Sequence, residues 1–380
     1  MKKVFNKIDK PLLVLTMICL IFGLLMVGSA SSLKAYMTFN DSYYYFKRQL
    51  LFIVIGLIGA YTIIKTPIKF YKGLIYLAIL VVMAGLIYVL LQGKVSNGVT
   101  GWLFIGGFGI QPSEFAKTVT ILFLALTFER LLKQRSTSPL ALSMPFIVPI
   151  MFVALVFVQP DFGTMMIIMF ITIMIFFIVP YDSKTRLFLI AIMLGCLLIT
   201  SLGLLVSGKG LTDKQKERFN YKNPCTRYRQ ETGYQVCNGY IAINSGGLLG
   251  SGYGNSKQKY LYLPEAHTDF IFAIIVEELG LVTGAMIALM YFAIIWRIIL
   301  IGKRSYNLQG TIICYGVATY IVLHILINLG GALGLIPLTG VPLPFYSYGG
   351  SFMINLLASL GLVQRVSVEN KLFEQTHIVR

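Results

Sequence analysis

Residues 260–280 read YLYLPEAHTDFIFAIIVEELG, and the junction inside this stretch decides what kind of chain this is. Before it lies the longest polar segment of the sequence; after it the chain turns apolar and stays so through Leu300. Glu265, His267, Thr268 and Asp269 stand at the junction itself. Ionisable side chains at the start of an apolar span are costly unless they face water, a partner or a substrate. Chemistry is therefore sought here first.

Outward from the junction the apolar character repeats. The 380 residues are 57% hydrophobic and 12% charged, whereas soluble domains carry about 25% charge. Apolar runs long enough to cross a bilayer recur along the whole chain, which makes it an all-α, polytopic membrane protein. The net charge of +17 would point to nucleic acid in a soluble protein. In a membrane protein it follows from lysine and arginine gathering in cytoplasmic loops and beside anionic headgroups, so membrane lipids are the expected partner and nucleic acid is not. The first apolar run, from Pro11 to about Val27, is longer than the apolar region of a typical signal peptide and reads as a retained helix.

Ten spans fit the apolar runs, near 11–29, 49–64, 73–91, 112–130, 140–158, 162–179, 186–206, 270–296, 310–333 and 349–364. With the N-terminus inside, cytoplasmic segments hold Lys65, Lys69, Lys72, Arg130, Lys133, Lys184, Arg186, Arg297, Lys303, Arg304, Arg365 and Lys371. The short outside loops hold only Lys34, Lys47, Arg48 and Lys94. That asymmetry predicts both termini in the cytoplasm. Residues 1–380 then form one membrane domain with a large outside loop at about 207–268.

Long loops in compact proteins are functional or disordered, and this one has apolar anchors, among them Tyr228, Tyr234, Tyr240, Ile243 and Leu248. A short helix is expected from Tyr234 to about Asn244, followed by turns at Gly246, Gly247, Gly250, Gly252 and Gly254. These glycines resemble a phosphate loop only superficially, because no strand precedes them. Cys225 and Cys237 share the loop; they can pair if it faces an oxidising side, but spacing does not set geometry, and both states stay open. Cys19, Cys196 and Cys314 fall in apolar runs and read as packing residues. Two further outside connections, 96–111 and 334–350, are apolar, rich in glycine or proline, and irregular. Such backbone is tolerated near a bilayer only when buried in protein or lining a cavity, so both are expected to wall a shared site.

Few ionisable groups fall inside the spans. Lys117 does, with Glu114 three residues earlier on the same helical face, either as a structural ion pair or as a cation for an anionic substrate. Asp161 reads as a helix cap. Glu277 and Glu278 lie two turns into an apolar span, where at least one must face the interior. Asp269 reads either as a cap or, if partly desolvated, as a base with a raised pKa; His267 is an alternative base. No metal-ligand spacing and no Ser-His-Asp arrangement stands out, and a divalent cation (Mg or Mn) stays open as a cofactor.

Several longer motifs occur in one order: Trp102 with Gly106-Gly107; Gln111-Pro112-Ser113-Glu114 with Lys117; Gln159-Pro160-Asp161-Phe162-Gly163; Gly233-Tyr234-Gln235; LPEAHTDFIFA from Leu263 to Ala273; Glu277-Glu278-Leu279-Gly280; and Pro342-Leu343-Pro344-Phe345 with Ser347-Tyr348-Gly349-Gly350-Ser351. In these the chain resembles the SEDS family (shape, elongation, division and sporulation) over nearly its whole length. The resemblance implies ten spans and a glycosyltransferase that joins lipid II units into a growing glycan strand outside the plasma membrane. It puts the family's proposed catalytic aspartate on Asp269 and its functionally important tryptophan on Trp102, with Glu114 and Lys117 also matched. Asp269 would be general base, and Lys117, Arg218, Lys257 and Lys259 are candidates to stabilise the departing pyrophosphate. The family's usual arginine before the tryptophan is Gly101 here. The runs at 255–259 and 277–280 look more like the division member, FtsW, than RodA. Either would work with a class B penicillin-binding protein, a transpeptidase, and with other division or elongation proteins. A lipid II flippase and a non-catalytic scaffold are the rival readings; a flippase's site should lie near the midplane, whereas the charged and irregular features here gather at the outside face.

Overall fold

The computed structural model describes residues 6–96, 99–134, 138–191, 221–229, 231–260 and 262–378. Helix α1 (Lys10–Phe39) starts where the Asp9 carboxylate accepts from the Leu12 amide at 2.9 Å with Pro11 in the first turn, and stops at Asn40 in left-handed backbone. Helices α2 (Tyr44–Lys65) and α3 (Tyr71–Gln92) follow, then three short strands, β1 (Lys94–Ser96), β2 (Val99–Ile105) and β3 (Phe108–Ile110). They form an antiparallel sheet in the order β1-β2-β3. The expectation of irregular backbone at 96–111 is corrected here: strand pairing satisfies its peptide groups. Helices α4 (Pro112–Lys133), α5 (Pro139–Ser143), α6 (Ile147–Val158) and α7 (Phe162–Ile178) come next.

After the polar loop come α8 (Glu231–Gly246), α9 (Ile271–Lys303), α10 (Leu308–Ala332) and α11 (Gly350–Ile378). Every expected span has its helix except the one near 186–206, which is helical over 183–191 and otherwise lies outside the described residues. Among the described residues seven helical stretches are long and apolar enough to cross a membrane, and α7 is a shorter apolar helix. The helix expected in the loop is α8.

Helix α11 is the central pole and is buried along most of its length, whereas α3 exposes Leu77, Leu80, Val81 and Tyr88. Small residues bring α2 against α11: a Cβ on Gly361 would lie 3.0 Å from the Ala60 Cα. At one end of the bundle Arg297 pairs with Asp9, Gln309 N donates to Glu129, and Arg365 donates to the Ile64 carbonyl. Hydrogen bonds at the other end join the hairpin, the α10–α11 connection and the start of α9.

Helix α9 is broken at Gly280, where φ is 81° and ψ 170°. Residues 247–252 lie against the break: Ser251 N and Gly252 N donate to the Glu277 and Glu278 carbonyls, and Leu281 N to Gly247 O. A Cβ on Gly280 would run into the Leu248 carbonyl, and one on Gly250 into that of Glu278. The exchange satisfies the backbone groups that the break releases.

Cys225 and Cys237 are bonded, joining the turn at Pro224–Arg227 to α8. A loop of this size loses about 3 kcal/mol of closure entropy when cross-linked. Reduction, or Cys225→Ser, should therefore speed amide exchange over residues 221–246 and leave α9 protected. Equal exchange in both states would show that packing alone holds the turn.

Candidate active site

Asp269 lies one residue before Phe270, which stands at the cap position of α9. Its setting comes from the segment joining α10 to α11. Asn328 on α10 donates through one amide nitrogen to the carbonyls of Asp269 and Val341, both at 2.9 Å. Ser347 Oγ donates to Thr268 O at 2.6 Å and accepts from Leu343 N at 2.7 Å, while Tyr348 N donates to His267 O at 2.9 Å. Residues 267–269 are thus held by backbone contacts on both sides. Gly340, at φ 77°, faces the carboxylate: a Cβ there would sit 3.4 Å from Asp269 Oδ2. A half-buried acid on a fixed backbone is suited to taking a proton from a bound hydroxyl.

The hairpin closes over the same end. Ser351, in the first turn of α11, accepts from Gln111 N at 3.0 Å and donates to Gly109 O at 3.4 Å. Arg48 on α2 reaches the Gly107 carbonyl and stacks 4.7 Å from the Phe108 ring. Gln49 spans Ser347 O and Gly349 N, each at 3.2 Å. The half-buried Trp102 lies over Gly109, where a Cβ would come 3.1 Å from its ring. Gln111 also donates to Asp161 Oδ2 at 3.0 Å, and Asp161 caps α7 through Thr164 N, as expected from sequence.

Lys117 is fully buried, with its ammonium 2.8 Å from Glu114 Oε1, 2.9 Å from His324 Nε2 and 5.5 Å from the centre of the Tyr320 ring. The other Glu114 oxygen is buried and has no hydrogen-bond partner. Lys117 is therefore covered in this conformation and does not present its charge to the surface.

Lys259 also departs from expectation. Its ammonium donates to Glu278 (2.8 Å), Ser29 (3.1 Å) and the Gly254 carbonyl (2.6 Å), which uses all three hydrogens. It neutralises a buried carboxylate rather than facing substrate. Glu277 accepts from Ser256 Oγ at 2.5 Å and Lys257 N at 2.9 Å, so both acids of the 277–278 pair hold the glycine-rich loop. Lys257 remains exposed. Arg218 and Cys196 lie outside the described residues; Cys19 and Cys314 are buried thiols, as packing residues should be. Among the described residues no group of three or more His, Cys, Asp or Glu could hold a metal ion.

His267 is buried between Tyr45 and Tyr348, with ring centres 4.6 and 5.7 Å away. Burial, together with the nearby Lys34 charge, pushes its pKa down to about 4 against the opposing pull of Glu265. Burial alone would raise Glu265, but Lys34 at 3.2 Å and the Thr268 hydroxyl at 2.6 Å hold it below the usual carboxylate range. His267 is thus a neutral packed ring near pH 7, poorly placed as a base. Between pH 6.5 and 4 only the unfolded chain binds its proton, so the stability present above 6.5 is lost on acidification. Melting midpoints should report a loss of about 2 kcal/mol from pH 7 to pH 5, and His267→Phe should flatten that slope; an unchanged slope would mean the ring stays hydrated.

Asn328, Ser347, Gln49 and His324 were not singled out from sequence. Asn328 and His324 carried a readable signal: polar residues one turn apart in an apolar helix. Ser347 and Gln49 carried none, because their roles depend on long-range docking.

Comparison with known proteins agrees with this architecture. Residues 10–372 match the profile of the FtsW, RodA and SpoVE group, described as cell cycle proteins. The chain is 35% identical to the probable peptidoglycan glycosyltransferase FtsW of Bacillus subtilis (strain 168), covering 97% of this chain and 92% of that one. It is also 35% identical to stage V sporulation protein E of the same organism, covering 94% and 96%. Among solved structures, a chain of a peptidoglycan synthase complex, described as coordinating polymerization and crosslinking, superposes with a TM-score of 0.71 at 24% identity, covering 96% of this chain and 98% of that one. The rod shape determining protein RodA of Thermus thermophilus superposes with a TM-score of 0.65 at 24% identity, covering 95% and 96%. The chain belongs to the FtsW/RodA/SpoVE family of cell cycle proteins.

Proposed function

We propose that this protein is a peptidoglycan polymerase, an inverting glycosyltransferase that joins lipid II units into glycan strands at the outer face of the bacterial plasma membrane. The observation that carries this reading is Asp269: a half-buried carboxylate beside the start of α9, seated through its carbonyl by Asn328 and facing Gly340. In a single in-line displacement the acceptor 4-hydroxyl gives its proton to Asp269 as its oxygen bonds the donor's anomeric carbon. The bond from that carbon to the lipid pyrophosphate breaks, and the pyrophosphate leaves with the electron pair. Among the described residues, exposed Lys257 and the hairpin-facing Arg48 are candidate cations to attract it, and Trp102 shapes the hairpin wall. A divalent cation, if used, would arrive with the pyrophosphate, since magnesium is commonly held by few protein carboxylates and by phosphate oxygens.

Orientation follows from charge. The end opposite the site carries Lys65, Lys69, Lys72, Arg130, Lys133, Arg297, Lys303 and Arg304, which supports a cytoplasmic position for that end and an outside position for Asp269. The bonded cysteines support an oxidising side for the loop. The FtsW and stage V sporulation relatives favour a division or sporulation role over elongation. The synthase complex with the same fold supports a class B penicillin-binding protein as partner. The break in α9 is the feature that most favours a flippase, but its free backbone groups and both acids are satisfied internally.

Purified protein, with and without its candidate transpeptidase, incubated with labelled lipid II should yield polymer. Absence of polymer in every pairing, with lipid II moved across vesicle membranes instead, would establish the transporter.

A further inference from the structure

His324 was left aside by the reading above, yet it occupies the join between the buried charge and the segment that fixes Asp269. We infer that His324 is a positioning residue for the polymerisation site, locking the Lys117 ammonium to the 340–349 segment through a single neutral tautomer. The inference rests on the polymerase reading and deepens it.

The tautomer follows from the partners. Nδ1 lies 3.1 Å from the Pro342 carbonyl, which only accepts, so Nδ1 carries the hydrogen. Nε2 lies 2.9 Å from the Lys117 ammonium, which only donates, so Nε2 keeps its lone pair. The other tautomer, or the imidazolium, would set N–H against N–H at Lys117. Packing fixes the ring plane: Phe352 stacks at 4.7 Å and Tyr320 meets it edge-on at 4.8 Å. The imidazole therefore has one orientation and one protonation pattern.

What that orientation holds is the floor beneath Asp269. His324 and Asn328 are four residues apart on α10 and project from the same face. They donate to consecutive carbonyls, His324 to Pro342 and Asn328 to Val341, and the same Asn328 amide also holds Asp269 O. A shift of Lys117 would thus pass through His324 to Pro342 and, within one peptide unit, to the group that seats Asp269. Misplacement of about 1 Å at a reacting group can cost on the order of 10²-fold in rate.

Two measurements decide the matter. The chain has three histidines, His267, His324 and His377, so selective ¹⁵N-histidine labelling of the whole protein gives an assignable spectrum. His324 should show its hydrogen on Nδ1 and a bare Nε2 throughout pH 6–8, and Lys117→Met, which leaves Pro342 holding Nδ1–H but takes the ammonium from Nε2, should let the ring titrate within that range. In the wild type, a hydrogen on Nε2, or titration across the same range, would overturn the inference without reference to activity. In the polymerisation assay His324→Phe, which keeps the stacking on Phe352, should lower kcat by on the order of 10²-fold with KM for lipid II little changed. His324→Gln, whose amide oxygen can accept from Lys117, should recover part of the loss. Wild-type kcat in the Phe variant would sink the inference alone; no polymer from the wild type would sink the polymerase reading beneath it.

Discussion

Asp269→Asn should abolish polymerisation while leaving the protein folded. General bases contribute about 10²–10⁴-fold, and the amide cannot take the acceptor's proton. Main-chain contacts help to seat residue 269: the carbonyl accepts from Asn328, and the flanking Thr268 and His267 carbonyls accept from Ser347 and Tyr348. All of them survive the substitution. The expected result is labelled lipid II converted to polymer by the wild type and left intact by the variant, at equal melting temperature. Conversion at the wild-type rate would remove Asp269 as the base, and His267, neutral and enclosed, would be a poor replacement. Gly340→Ala offers a companion test, since the new methyl would touch Oδ2 at 3.4 Å and strain a backbone at φ 77°. It should slow polymerisation without removing the acid.

The division between what could and could not be read from sequence follows the range of the interactions. Helix positions were legible because apolar runs and their flanking charges are local signals, and the cap at Asp161 acts over three residues. The Glu114–Lys117 pair was legible for the same reason. The roles of Lys259 and His267 were not. Lys259 stands only two residues from the exposed Lys257 in sequence, yet its ammonium turns inward to Glu278 on a helix nineteen positions further on. Nothing local distinguishes the two lysines; only the docking of 247–259 against the break at Gly280 does. The hairpin escaped notice because its apolar glycine-rich strands lack clean alternation and its register is fixed from outside, by Ser351 and Arg48. Asp269 could be located but not interpreted, because Asn328 and Ser347, which seat residues 268–269, lie far along the chain.

Removing Lys117 should do more damage to stability than any other single change considered, and the pattern of rescue separates its two roles. Lys117→Met strands the Glu114 carboxylate, already short of one partner, and leaves His324 Nε2 without its donor. Breaking a buried pair from one side costs about 3–5 kcal/mol, because the surviving charge keeps its desolvation penalty. Removing both charges does not carry that penalty, so Glu114→Gln with Lys117→Met should regain most of the lost melting temperature. Polymerisation should not return with it. In the double variant the positive charge behind the site is gone, and His324 Nε2 has no ammonium to tie it to α4. Paired melting and polymerisation measurements on the two single variants and the double one make the test. If stability and polymerisation recover together, the ion pair is packing alone and the anchor for Asp269 lies entirely in Asn328 and Ser347. Recovery of stability without polymer would place the Lys117 charge within the machinery that sets the rate.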